Sequence, residues 1–167
     1  NFSAYRVEVL DLATQTLQTS IRTYAPPSAI GVSADNRYLV VGEYAKWGLM
    51  GEWKNARGGL QVIDLTDNSR RRVETDAPVL ALAFGADGLA LVVTHTQVFT
   101  FNPVSLEVRV VEATSLRSRD LPVQLVTFPP QIIQASISTS QDRQKIVVLA
   151  GVDGVDRSSI SALLRFD

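Results

Sequence analysis

Short runs of Val, Ile, Leu, Phe, Tyr and Thr recur along the chain, each bounded by polar pairs such as Asp-Asn, Asp-Gly, Asn-Pro or Thr-Asp. They fall at 7–12, 17–21, 30–32, 38–41, 60–65, 79–84, 89–93, 97–101, 106–111, 132–137, 145–149 and 159–166. β-Branched and aromatic runs between turn-forming pairs predict strands joined by tight turns. Helical spacing is absent, apart from a stretch at 113–121 that predicts one turn at most. The chain is therefore expected to be all-β.

A repeat lies on top of the strands. SAIGVSAD at 28–35, LALAFGAD at 80–87 and QASISTSQD at 134–142 are each a strand of small and apolar residues ending in an acidic turn. Each leads into a greasier strand: YLVVG, LALVVT and KIVVLAG. The turn aspartates are Asp35, Asp87 and Asp142, spaced by 52 and then 55 residues. A second series agrees, with VEVLDL at 7–12 and LQVIDL at 60–65 placing Asp11 and Asp64 53 apart; VFTFNP and SALLRFD occupy the equivalent places. A repeat of this length holding four strands predicts a β-propeller blade.

Composition within each unit fits that architecture. The first strand is rich in small residues (Ala29, Gly31, Ala81, Ala83, Ala135, Ser136), as crowding round an axis requires. The second is a continuous apolar run, as expected of a strand covered on both faces. The third is expected to alternate. The fourth is charged, as in Arg70-Arg71-Arg72-Val73-Glu74, which protects an outermost edge from mispairing. The first strands, Ala29 to Val32, Leu80 to Phe84 and Ala135 to Ser138, are expected to be innermost and buried.

VSADNRYLVVG with LQVIDLTDNSRRRV, and AFGADGLALVVT with VFTFNPVSLEV, resemble the repeats of YVTN-type bacterial β-propellers, relatives of the WD-repeat fold. SISTSQDRQKIVVLAG is a looser third copy. The resemblance covers almost the whole chain and implies an all-β β-propeller segment of about three four-stranded antiparallel blades. The Gly-His and Trp-Asp dipeptides of true WD repeats are absent, so that subfamily's interaction role is not carried over.

The expected division is a partial blade at 1–24, blades at 25–75 and 76–114, and a partial blade at 129–167. The first part brings only the two outer strands, the last only the three inner ones. The chain is thus expected either to be part of a larger propeller or to self-associate through its open blade edges. It begins at Asn1 without a basic or apolar leader, and is read as a mature product, a tag-cleaved product or a fragment, with any targeting segment already absent.

Charge and composition narrow the partners. Lys and Arg number 16 against 17 Asp and Glu, giving no electrostatic reason to expect nucleic acid. No apolar run approaches the roughly 20 residues of a membrane span. Cysteine is absent, which removes disulfides and thiolate metal sites. The expected setting is an exported bacterial protein, periplasmic or extracellular.

Blade topology places the first-to-second and third-to-fourth strand turns on one face, where they are short: SADN, GADG, TDNS, NPVS. The other face receives the long connections at 43–59, 113–131 and 151–159, the usual place for binding. The first holds both tryptophans, the only Met, a tyrosine and three cations. Tyr44, Lys46, Trp47, Trp53, Lys54 and Arg57 are accordingly the candidate binding residues, since aromatics interleaved with cations grip a protein, peptide or carbohydrate. The competing expectation is that the aromatics fold back as a private core of the loop.

No catalytic or metal-binding set is expected, and no cofactor. The single histidine, His95, is expected to be a surface or hydrogen-bonded residue rather than a base. Asp153 and Asp156 lack the ligand order of a calcium loop. No phosphate-binding or nucleophile-elbow motif occurs. The leading expectation is a non-catalytic binding or protein-interaction module. The alternative is a lactonase-like or other hydrolase completed by blades absent from this chain, and a purely structural repeat is the third.

Overall fold

Turns of two plans set the order of the strands. The structure, a computed structural model, describes residues 5–44, 57–111, 132–152 and 160–166. In the first plan the Oδ1 atoms of Asp11, Asp64 and Asn102 accept the amides two residues on, from Ala13 (2.8 Å), Thr66 (2.9 Å) and Val104 (2.8 Å). Four residues after each, Gln15, Asn68 and Leu106 adopt φ of 55°, 60° and 64°. In the second plan the turn aspartates Asp35, Asp87 and Asp142 accept from Arg37, Leu89 and Gln144. The residue after each, Asn36, Gly88 and Arg143, is again left-handed. A short acceptor side chain that bonds the backbone ahead of it stabilises this reversal.

These turns join antiparallel strands into four sheets. The first is β1 (Arg6–Asp11) with β2 (Thr16–Arg22). The second holds β3 (Pro27–Val32), β4 (Tyr38–Glu43), β5 (Gly58–Asp64) and β6 (Arg70–Thr75) in chain order. The third repeats the plan with β7 (Val79–Phe84), β8 (Ala90–Thr94), β9 (Val98–Phe101) and β10 (Val108–Val110). The fourth has β11 (Ile132–Thr139), β12 (Ile146–Val152) and β13 (Ile160–Phe166). No helix among the described residues is long and apolar enough to cross a membrane.

The sheets pack face to face in sequence order. Val7, Val9 and Ile21 meet Leu39, Val41 and Ile63. Val40, Leu60 and Val62 meet Leu82, Phe84, Phe99 and Phe101. Leu91, Val93 and Val98 meet Ile146, Val148 and Ala150. Strand β7 packs beside both β3 and β11, so the innermost strands converge while the charged β6 and the exposed β10 lie outermost. Polar bonds stitch neighbours together: Ser28 Oγ donates to Val79 O (2.6 Å), and Arg71 donates to Pro103 O (2.7 Å) and Val104 O (2.9 Å).

Burial departs from expectation in two places. Strand β7 is largely buried, but Ile30 in β3 is 52% exposed and β11 is half-exposed, because among the described residues only β7 has an innermost strand on either side. Strand β5 is buried throughout rather than alternating, since sheets cover both of its faces.

Two outcomes follow from this packing. A Cβ at Gly42 would lie 2.5 Å from Val79 Cγ1 and 2.9 Å from its Cβ. Gly42→Ala should therefore lower stability by about 1–3 kcal/mol in denaturant unfolding, and an unchanged midpoint would refute the close approach of the two sheets. The second outcome concerns acid. Asp64 is held down to about 2 by the Thr66 hydroxyl first, then the Thr66 amide and Arg37. Asp11, Asp35, Asp67 and Asp142 are lowered by the hydroxyls and amides of their own turns. Lowered carboxylates stabilise the folded chain above their unfolded pKa, and that contribution is lost as the pH falls through the folded value. Unfolding midpoints should hold from neutral pH to about pH 4, the ordinary carboxylate range, and decline toward pH 2. Asp64→Asn should flatten part of that decline.

Candidate functional site

The rim carrying the long connections is organised by two buried polar groups. Glu43, the last residue of β4, is fully buried. Its Oε1 accepts the amides of Tyr24 (2.9 Å) and Ala25 (3.3 Å), and its Oε2 accepts Arg72 Nε at 2.9 Å. The Arg72 guanidinium also lies 5.8 Å from the centroid of the exposed Tyr24 ring, within cation–π range. Glycine makes room for this arrangement: a Cβ at Gly59 would stand 2.7 Å from Arg72 Nη2 and 3.0 Å from Glu43 Oε2.

Two corners of equal design support the rim. Thr23 Oγ1 donates to Ala25 O (2.8 Å) and Thr75 Oγ1 to Ala77 O (2.7 Å). The underlying Thr-x-Ala-Pro at 23–26 recurs at 75–78, a repeat that points to the corner from sequence alone. Gly58 seats the second corner, since a Cβ there would approach Ala77 O to 2.6 Å. The segment 43–59 is thus not wholly loop: Glu43 belongs to β4, and Gly58 and Gly59 belong to β5.

His95 is the second organiser. It is buried, in a tight turn closed by the bond from Thr94 N to Gln97 O (2.9 Å). Its Nδ1 is 2.6 Å from Ile132 O, and its own carbonyl accepts Ile132 N at 2.9 Å. Its Nε2 is 3.4 Å from Tyr44 Oη, with the two rings edge to face at 6.0 Å and 81°. Of the two descriptions expected for His95, the hydrogen-bonded one applies and the surface one does not.

Among the six candidate binding residues, Tyr44 and Arg57 fall within the described residues; Lys46, Trp47, Trp53 and Lys54 lie outside them. Tyr44 is half-buried directly after β4, its amide donating to Pro26 O (2.8 Å). Arg57 directly precedes β5, its guanidinium 3.8 Å from Glu74, with both side chains well exposed. Pairing of Glu43 with Gly59 brings these two residues to the same edge of the second sheet. Such an exposed ion pair contributes at most about 1 kcal/mol, so Arg57 is not committed to the fold.

The opposite face carries a shallow groove of about 310 Å³ between the second and third sheets, lined by Asp35, Tyr38, Asp87, Asn102 and Val104 among others. Its carboxylates and amide hold their own turns, as described above. No group of three or more His, Asp or Glu side chains is placed to hold a metal ion among the described residues.

Stacked four-stranded antiparallel sheets with converging inner strands define a β-propeller segment. The chain is similar in structure to hydrazine synthase of Kuenenia stuttgartiensis, with a TM-score of 0.61 and 15% identity over 98% of this chain and 44% of that one. It is similar also to the dihydro-heme d1 dehydrogenase NirN, solved in complex with DHE, with a TM-score of 0.56 and 13% identity over 95% of this chain and 32% of that one. Both are β-propeller proteins, and this chain spans less than half the length of either. No family model matches the sequence, and no curated protein matches it. The chain is a β-propeller module of all-β architecture.

The Glu43 clamp yields a test. Glu43→Ala strips two amides and Arg72 of a buried acceptor, and should cost about 3 kcal/mol or more in unfolding free energy. A loss below about 1 kcal/mol would show that the clamp contributes little to holding the rim.

Proposed function

We propose that this chain is a non-catalytic binding module that engages a protein, peptide or carbohydrate partner through the face bearing its long connections. The observation that carries this is the contrast between Arg57, exposed beside Glu74, and the buried groups around it. Glu43, Arg72, Thr23 and Thr75 spend their polar atoms on clamping the rim. Tyr44 and Arg57 stand at the edge of that rigid frame, at either end of a segment rich in aromatics and cations. A rigid scaffold presenting such a segment meets the usual demands of recognition. The proposed binding set is Tyr44, Lys46, Trp47, Trp53, Lys54 and Arg57, in repeats of the YVTN kind from an exported bacterial protein.

Both tryptophans of the chain lie in that segment, so selectively excited tryptophan fluorescence reports on it. Titration with panels of oligosaccharides and extended peptides should give a saturable change with at least one class. Trp47→Ala combined with Trp53→Ala should abolish binding of that ligand and leave the melting temperature within about 2 °C of wild type. A loss of about 3–5 kcal/mol in the double variant would instead mark the tryptophans as core, and the binding assignment would fail.

A further inference from the structure

The hairpins β3–β4, β7–β8 and β11–β12 share one pattern: a strand of small and apolar residues, an acidic turn and a greasier strand. In each sheet the second strand of the hairpin pairs with a third strand, β5, β9 or β13. Strand β1 corresponds to β5 through Asp11 and Asp64. It pairs with β2 alone, so among the described residues no strand lies along its other edge. Side chains mark the same place. Leu82 and Phe84 of the third sheet are each 3% exposed, because β3 lies over them. A Cβ at Gly31 would stand 2.5 Å from Leu82 Cδ1 and 3.4 Å from Phe84 Cδ2. Ile30 and Val32 hold the corresponding positions of the second sheet, five and three residues before the turn aspartate, and are 52% and 37% exposed. Val7 and Val9 are half-buried, whereas their counterparts Leu60 and Val62 are fully buried.

We propose that the free edge of β1 and the exposed Ile30 and Val32 together form a docking slot for a β-hairpin of a partner protein. The second strand of that hairpin adds antiparallel to β1. Its first strand carries Ala or Gly at alternate positions and lies over Ile30 and Val32, as Ala29 and Gly31 lie against the third sheet. An open strand edge supplies backbone hydrogen bonds to an incoming strand, and the apolar side chains beside it select what that strand carries. The occupant is foreign to the chain, because all three hairpins of this pattern are committed to sheets of their own. In a second copy they are committed in the same way. The slot is a strand edge separate from the long-connection face, and it does not depend on the function proposed for that face.

The probe is the chain's own hairpin offered in trans, as a peptide of residues 27–43. A disulfide between cysteines added at its two ends closes it, because an unsupported hairpin is only marginally stable. The chain has no cysteine to exchange with that bond. With peptide at about ten times its Kd, the β1 amides that do not bond β2 should exchange with solvent about tenfold more slowly, read by NMR on ¹⁵N-labelled protein. A peptide carrying Ala29→Leu and Gly31→Leu should give no such protection. The unaltered peptide should likewise fail on protein carrying Ile30→Lys or Val32→Lys, two exposed positions tested separately so that one misfolded variant does not decide the matter. Absence of protection by the unaltered peptide, equal protection by the leucine peptide, or protection that survives both lysine variants would overturn the slot. Protection of β1 in a concentration-dependent dimer of the chain alone would give the slot to a second copy and overturn the partner.

Discussion

No sheet of this chain is complete without its neighbours. Strands β4, β5 and β8 are buried along their whole length, so their sheets have two apolar faces and no face suited to water. Burying such faces is the largest favourable contribution to folding. The remaining features of the structure serve that stacking. Gly42 lets the second and third sheets approach, and small residues such as Ala29 and Ala81 allow the inner strands to converge. The arginines of β6 reach out to bond the next sheet's turn and to clamp the rim.

Stacking also separates the two faces into different tasks. Turns on the short side must reverse the chain at once, and each does so with an Asp or Asn acceptor and one left-handed residue. Their polar atoms are thereby committed to the backbone. On the long side the ends of the connection after β4 are fixed. Glu43 fixes the entry from the first sheet, and Tyr44 and Gly58 fix the two ends of the following segment.

Much of this was legible in the sequence because it repeats. Strand chemistry, the aspartates at 35, 87 and 142, and the drift from small to apolar to charged strands all recur at blade spacing, and the all-β propeller segment follows from them. What does not recur was hidden. The second sheet alone ends its second strand in a buried glutamate; the same register position in the third is Thr94. Glu43 meets Arg72 across 29 residues through the register of β4, β5 and β6, which no local pattern reveals. His95 looked unremarkable for the same reason, because its partners are 51 and 37 residues away. Thr-x-Ala-Pro at 23–26 and 75–78 is the local pattern that does mark the two corners. Tyr44 and Arg57 were chosen for composition, and the structure adds where they are held; Lys46, Trp47, Trp53 and Lys54 rest on composition still.

Arg143 has a further bearing on how the module would respond to load. Strand contacts lie mainly within each sheet, and those between sheets run to the next one in the chain, which makes the chain a row of separable units. The Arg143 guanidinium instead donates to Val32 O at 3.1 Å, linking the fourth sheet to the second across 111 residues. Its carbonyl meanwhile accepts Ala86 N of the third. One left-handed turn residue thus touches three consecutive sheets near the axis, like a rivet through overlapping plates. Under tension between the chain ends, the first sheet, outside that rivet, can peel away by itself, whereas the three it joins share the strain.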